Sequence, residues 1–134
     1  MAVNLRAPWL LCRAVLPGMT ERGFGRVLLV SSVAARTGGL VGPHYAAAKA
    51  GLGGLMHHLA ARVAADGVTV NAIAPALVEG TGMLPKPPGG GLPAPIPVGR
   101  LGTPEEVAEL AVAMLANGYL TSKTVVLDGG LHPT

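Results

Sequence analysis

Apolar residues recur along this chain with two alternating periods. Val3, Ala7, Leu10, Leu11, Ala14 and Val15 fall at i, i+4, i+7, i+8, i+11 and i+12, which predicts a helix over 2–19 with Pro17-Gly18 as its stop. After a turn at 23–25, the unbroken run Val27 to Val30 reads as a strand over 26–30, covered on both faces in a parallel sheet. Leu52, Leu55, Met56, Leu59 and Val63 return to helical spacing inside a helix from about 43 to 65, closed by Asp66-Gly67. A second strand follows at 68–73 and is expected to stop at Ala74-Pro75. Thr103, Pro104 and Glu106 mark the N-cap, first position and capping box of another helix, with Val107, Leu110, Ala111, Met114 and Leu115 as its buried stripe and Asn117-Gly118 as its stop. Thr124 to Leu127 is the last strand. Helix, strand, helix, strand, loop, helix, strand is the order of a parallel α/β sheet with right-handed crossovers.

Several residues break these patterns. Pro8 cannot donate to the carbonyl of Asn4; that oxygen is either freed to hold a water, or Pro8 simply occupies the first turn of the helix, where proline is tolerated. Gly51, Gly53 and Gly54 weaken a helix by up to about 1 kcal/mol each relative to alanine, which predicts a close helix–helix contact there, with a second subunit as one partner. Between Gly80 and Arg100, 12 of 21 residues are Gly or Pro. A segment of this length and composition reads as a binding loop or lid.

Composition narrows the classes. Half of the 134 residues are hydrophobic, which argues against the disorder that so much Gly and Pro would otherwise suggest. No apolar run reaches the ~18 residues of a membrane span, and Asn4, Arg6 and Arg13 interrupt the start, so neither a membrane anchor nor a signal peptide is expected. The lone Cys12 fits a reducing, cytoplasmic setting. The net charge of +3 comes from scattered basic residues without interleaved aromatics, so nucleic acid is not the expected partner. His57 and His58 have no partners at metal-ligand spacing and read as surface or interface residues, so no metal is expected.

The candidate chemistry lies between Ser31 and Lys49. Ser32 stands at the end of a strand, Tyr45 thirteen residues later, and Lys49 four beyond that. Residues i and i+4 share a helix face, so an ammonium can sit beside the phenol. A tyrosine ordinarily titrates at about 10, and a nearby positive charge favours the phenolate, which makes the pair a candidate acid/base. Ser32 could hold a carbonyl or hydroxyl oxygen against it. A serine hydrolase is disfavoured, because Ser31-Ser32 lies outside any G-x-S-x-G elbow.

Six segments, VNL at 3–5, GRVLLVSS at 25–32, YAAAKAG at 45–51, VTVNAIAP at 68–75, GRLGTPEEVA at 99–108 and VVLDGG at 125–130, resemble the short-chain dehydrogenase/reductase family in its classical branch, which includes 3-oxoacyl-acyl-carrier-protein reductases. The resemblance implies an NAD(P)-dependent oxidoreductase moving hydride between nicotinamide and a carbonyl or hydroxyl substrate. In that reading Tyr45 is the general acid/base, Ser32 orients the substrate oxygen, and Lys49 lowers the tyrosine pKa and binds the nicotinamide ribose. The Asn4 carbonyl holds the water of a proton relay. Tyr45, Lys49, Pro75, Ala76 and Val78 border the cofactor, NAD or NADP, with Thr81 as a further contact. Two positions depart from the family: Ala76 replaces the usual glycine, and Gly80 stands where a threonine is expected, with Thr81 one place later. The fold implied is the carboxy-terminal half of a Rossmann-type doubly wound parallel sheet, about three strands with flanking helices. Residues 1–134 are then a single partial domain with a flexible substrate loop over 80–100.

The Gly-rich turn that holds the pyrophosphate does not precede Asn4, and the glycines at 89–91 follow no strand and lead into no helix. The residue choosing between NAD and NADP is absent with it, and the strand at 26–30 is expected to present an unpaired edge. Homo-oligomerisation through helices 2–19 and 43–65 is expected. The alternative function is a truncated, catalytically inactive remnant acting only through helix-mediated association.

Overall fold

In the computed structural model, which describes residues 1–84 and 91–133, a three-stranded parallel sheet is flanked by helices. Helix α1 (Ala7–Glu21) is entered through a π-helical turn, Ala2–Arg6. It leads to β1 (Gly25–Val30), a short α2 (Ala34–Thr37), and the long α3 (Pro43–Val63). Then come β2 (Val68–Pro75), α4 (Pro104–Ala116) and β3 (Thr124–Leu127). The order across the sheet is β1-β2-β3, with Gly25 to Val30 in register with Val68 to Ile73, and Ala72 to Pro75 with Thr124 to Leu127.

Most elements fall where periodicity predicts them, and the differences have local causes. α1 runs through Pro17 to Glu21 instead of stopping there. It ends at Gly23, where φ of +65° lets the chain reverse while the Gly23 amide donates to Thr20 and the Phe24 amide to Met19, a Schellman arrangement that needs a left-handed residue. Proline in the last turns costs one intrahelical bond, and the pattern of buried residues, Cys12 and Leu16 on one face, outweighs it. β2 likewise continues through Pro75, because a strand's final residue can lack an N–H while its carbonyl still accepts, here from the Val33 amide at 3.2 Å.

The core lies on one side of the sheet. Leu52, Met56, Ala60 and Val63 of α3 and Cys12 and Leu16 of α1 pack on Leu29 of β1 and on Val68, Val70 and Ala72 of β2. β2, central in the sheet, is buried along almost its whole length. β1 is covered less completely than its composition suggests: Leu29 is buried, Leu28 on the other face only partly, and Val30 is 57% exposed. Among the described residues β1 pairs with β2 alone, so its outer edge is unpaired.

Of the α3 glycines, Gly51 meets the Leu5 side chain of the π-helical turn, where an added Cβ would come within 2.9 Å. The close neighbour there belongs to this chain. Gly53 and Gly54 face open space. On the other side of the sheet Asn71, only 2% exposed, donates to the Leu120 carbonyl at 2.7 Å and accepts from the Lys123 amide at 3.1 Å. It thereby seats the approach to β3. The capping box of α4 is present in both directions, Glu106 N–H to Thr103 Oγ1 at 3.2 Å and Thr103 N–H to Glu106 Oε2 at 2.9 Å. The loop expected over 80–100 has neither helix nor strand at 80–84 and 91–100, and its middle, including the glycines at 89 and 90, lies outside the described residues.

Candidate functional site

The carboxy-terminal ends of parallel strands leave chain ends and helix starts on one rim, and the site lies there. β1 ends at Val30, and Ser31 and Ser32 follow. Two residues past Leu29, Ser31 keeps the core-facing side of the strand and is buried: its amide donates to Ile73 O at 2.8 Å and its hydroxyl to the Lys49 carbonyl at 3.1 Å. Ser31 therefore ties the strand end to α3. Ser32 points the other way, and its Oγ accepts from the Ala34 amide at 3.2 Å as the chain turns into α2. The short helix α2 was not apparent from periodicity, because four residues carry too little pattern. Its bond to Ser32 fixes the hydroxyl oxygen and leaves the hydroxyl proton free to donate.

Tyr45 and Lys49 lie one turn apart at the start of α3, entered through Gly42 at φ of +135° and Pro43 at the first position. The Lys49 ammonium sits 5.6 Å from the centre of the Tyr45 ring and donates to the Val30 carbonyl at 2.6 Å. Helix face and strand end are thus joined by the very cation the sequence places beside the phenol. Burial pushes the Lys49 amine below its ordinary value.

A single cavity of about 990 Å³ gathers Asn4, Ser32, Tyr45, Lys49, Pro75, Ala76, Val78 and Thr81, all eight of the residues singled out from sequence. Asn4 reaches it from the π-helical turn just before Pro8. Pro8 sits at the start of α1, where proline is tolerated. Its missing N–H leaves the carbonyl of Asn4 without an i+4 donor, in a turn widened to π geometry. Val78 forms an isolated parallel bridge with Gly102, made by Glu79 N–H to Gly102 O at 2.9 Å and Gly102 N–H to Leu77 O at 3.0 Å. In such a bridge the amide group of Val78 itself faces away from Gly102. Thr81 is engaged within its own loop, donating to the Val78 carbonyl at 3.2 Å.

Sequence reasoning passed over His44 and His132, which also line the cavity. His44 precedes Tyr45 directly, and that adjacency was the available signal. His57 and His58 are exposed, as expected, and His57 Nδ1 lies 2.7 Å from Ser122 Oγ. No group of three or more metal-binding side chains occurs among the described residues.

The donor set suits a nicotinamide cofactor. Lys49 has three N–H donors with one taken by Val30, and Tyr45 and the backbone of 75–78 border the same space.

Residues 1–132 match the family described as Enoyl-(Acyl carrier protein) reductase. The chain is 39% identical over 133 residues to the 3-oxoacyl-acyl-carrier-protein reductase FabG of Pseudomonas aeruginosa, covering 96% of this chain and 54% of that protein. It is 40% identical over 138 residues to an acetoacetyl-CoA reductase of Rhizobium meliloti, covering 98% and 57%. Among solved structures it resembles a 3-oxoacyl-acyl-carrier-protein reductase with bound NAD from Brucella melitensis, with a TM-score of 0.84 and 33% identity, over 98% of this chain and 50% of that one. The chain thus spans about half the length of the relatives it matches. A matched family over nearly every residue, the shared open parallel sheet, and a tyrosine, lysine and serine on one cavity agree: the chain belongs to the short-chain dehydrogenase/reductase family.

Proposed function

We propose that this chain carries the proton-transfer side of an NAD(P)-dependent oxidoreductase acting on a carbonyl or hydroxyl substrate. The observation that carries this reading is the convergence of Ser32, Tyr45 and Lys49 on one largely apolar cavity. When bound, the nicotinamide supplies or accepts the hydride. Ser32 donates its hydroxyl proton to the substrate oxygen and orients it. Tyr45 gives that oxygen a proton in reduction and takes one in oxidation. Lys49 holds the cofactor's ribose with the donors that Val30 leaves free. The Asn4 carbonyl holds a water through which the tyrosine proton is replaced. Pro75, Ala76 and Val78 border the nicotinamide, and the reducing setting favoured by the lone, buried Cys12 suits such chemistry. Thr81, whose hydroxyl proton goes to the Val78 carbonyl, meets the cofactor as an acceptor.

Titrating the chain with NADH and with NADPH, followed by fluorescence, tests the reading. Saturable binding of either, with turnover of a ketone, supports it. Binding of neither would favour the second reading, association without catalysis. That reading draws on the apolar side chains α1 leaves in solvent, with Leu11 65% exposed, and on the open ground beside Gly53 and Gly54. Its mark is a homo-oligomer in sedimentation without nicotinamide binding.

A further inference from the structure

The segment that follows β2 forms a wall between two cavities. Leu77 and Val78 line the large one and also a second, of about 190 Å³, whose lining includes Arg100, Gly102 and Glu106. Backbone bonds hold this wall at two places. The Ala76 amide donates to Leu127 O at 2.9 Å, which ties the start of the wall to β3. Further on, Gly102 donates to Leu77 O at 3.0 Å and accepts from the Glu79 amide at 2.9 Å. Val78 therefore lies between two bonds to one residue, and the place of Gly102 decides the place of Val78.

Glycine has the most backbone freedom to lose and no side chain to anchor it. The neighbours of Gly102 are anchored instead. Arg100 Nη1 donates to Leu101 O and to Glu106 Oε2, each at 3.0 Å, and Arg100 Nη2 donates to Glu106 Oε1 at 2.6 Å. Glu106 Oε2 also accepts from the Thr103 amide at 2.9 Å. One guanidinium–carboxylate pair thus grips the peptide groups on both sides of Gly102, and Glu106 itself is carried by the first turn of α4. A lone pair this exposed, 55% and 39%, would be worth little. A two-pronged pair adds geometric specificity to its strength, and here its spare bonds go to the backbone.

We propose that Arg100 and Glu106 are positioning residues for the cofactor: through Gly102 they set the backbone of Val78 at the edge of the nicotinamide. The proposal rests on the reductase reading and adds to it two residues that do not themselves line the large cavity.

Amide hydrogen exchange and titration with NADH and NADPH, on the unaltered chain and on Glu106→Ala and Arg100→Met, test it. In both variants the Glu79 and Gly102 amides should exchange about tenfold faster, the worth of about one hydrogen bond. They should quicken more than the Ser31 amide, which is bonded to Ile73 O within the sheet. The dissociation constant of the bound nucleotide should rise by a similar factor, about tenfold. Glu106→Gln keeps an acceptor for the Thr103 amide and should recover part of both effects. Circular dichroism checks that each variant folds. Exchange that quickens at Glu79 and Gly102 no more than at Ser31 marks general loosening and overturns the proposal, as does faster exchange with unaltered affinity. An unaltered chain that binds neither nucleotide defeats the reductase reading, and exchange at the two amides then decides by itself whether the pair holds Val78.

Discussion

Replacing Tyr45 by phenylalanine removes one oxygen and keeps the ring beside which Lys49 lies at 5.6 Å. Nicotinamide-dependent turnover should fall by about 10²–10⁴, the range a positioned acid/base supplies, while nicotinamide affinity stays near that of the unaltered chain. Steady-state kinetics with a parallel binding titration checks this, and retained turnover would remove Tyr45 from its role. A second residue-scale expectation concerns strain. Ser122 holds φ of +60°, a left-handed conformation that disfavours any residue with a Cβ. Ser122→Gly should therefore be more stable than Ser122→Ala by about 1 kcal/mol, since both lose the contact with His57 and only glycine relieves the backbone. Thermal melts of the two variants decide it. The candidate site was legible at this scale, because i and i+4 on a helix and the first polar residues past a strand are local relations. The task of Ser31 was less so: its inward face follows from strand alternation, but its bond to Lys49 O needs α3 laid against β1.

At the scale of elements, single polar residues hold segments that hydrophobic periodicity does not reach. Asn71 interrupts an apolar strand, and its side chain bonds two backbone groups of the segment leading into β3. Asn71→Val leaves the Leu120 carbonyl and the Lys123 amide unpaired and should lower stability by about 2–4 kcal/mol in chemical denaturation. A loss below about 0.5 kcal/mol, the weak end of a single hydrogen bond, would mean that water replaces it. The start of α4 gives a pH signature. The Arg100 guanidinium, bonded to Glu106 at 2.6 and 3.0 Å, and then the Thr103 amide hold the Glu106 carboxyl down at about 2, against an ordinary 4.5. A depressed carboxylate contributes stability that is fully present above its unfolded value and lost as pH falls through its folded one. The difference in melting temperature between the unaltered chain and Glu106→Gln should accordingly be constant above pH 4.5 and shrink between 4.5 and about 2. A difference independent of pH would show that the carboxylate's charge is not what caps the helix.

The sheet as a whole is unevenly protected. β2 is enclosed, whereas β1 presents its outer edge with Val30 in solvent. Unpaired apolar edges associate, and a charge on them opposes it. Val30→Glu should reduce concentration-dependent light scattering, and unchanged scattering would place the association elsewhere, with the exposed side chains of α1 as the next surface to alter. No helix among the described residues is long and apolar enough to cross a membrane, and exposed apolar side chains stand on α1 and at Val30 but also on α4, at Val112 and Leu115.

By itself the sequence determined the longer elements, their alternation, the capping of α4 and the identity of the serine, tyrosine and lysine. Each is encoded within a few neighbouring residues by period, cap or spacing. Tertiary structure alone decided that residues from Asn4 to His132 share one cavity, that Lys49 bridges α3 to the end of β1, that the second face of β1 is covered only in part, and that Pro17 and Pro75 lie within their elements. These depend on how far separated segments pack, and burial of Leu16 and of β2 outweighs the local preference of a proline to stop a helix or strand.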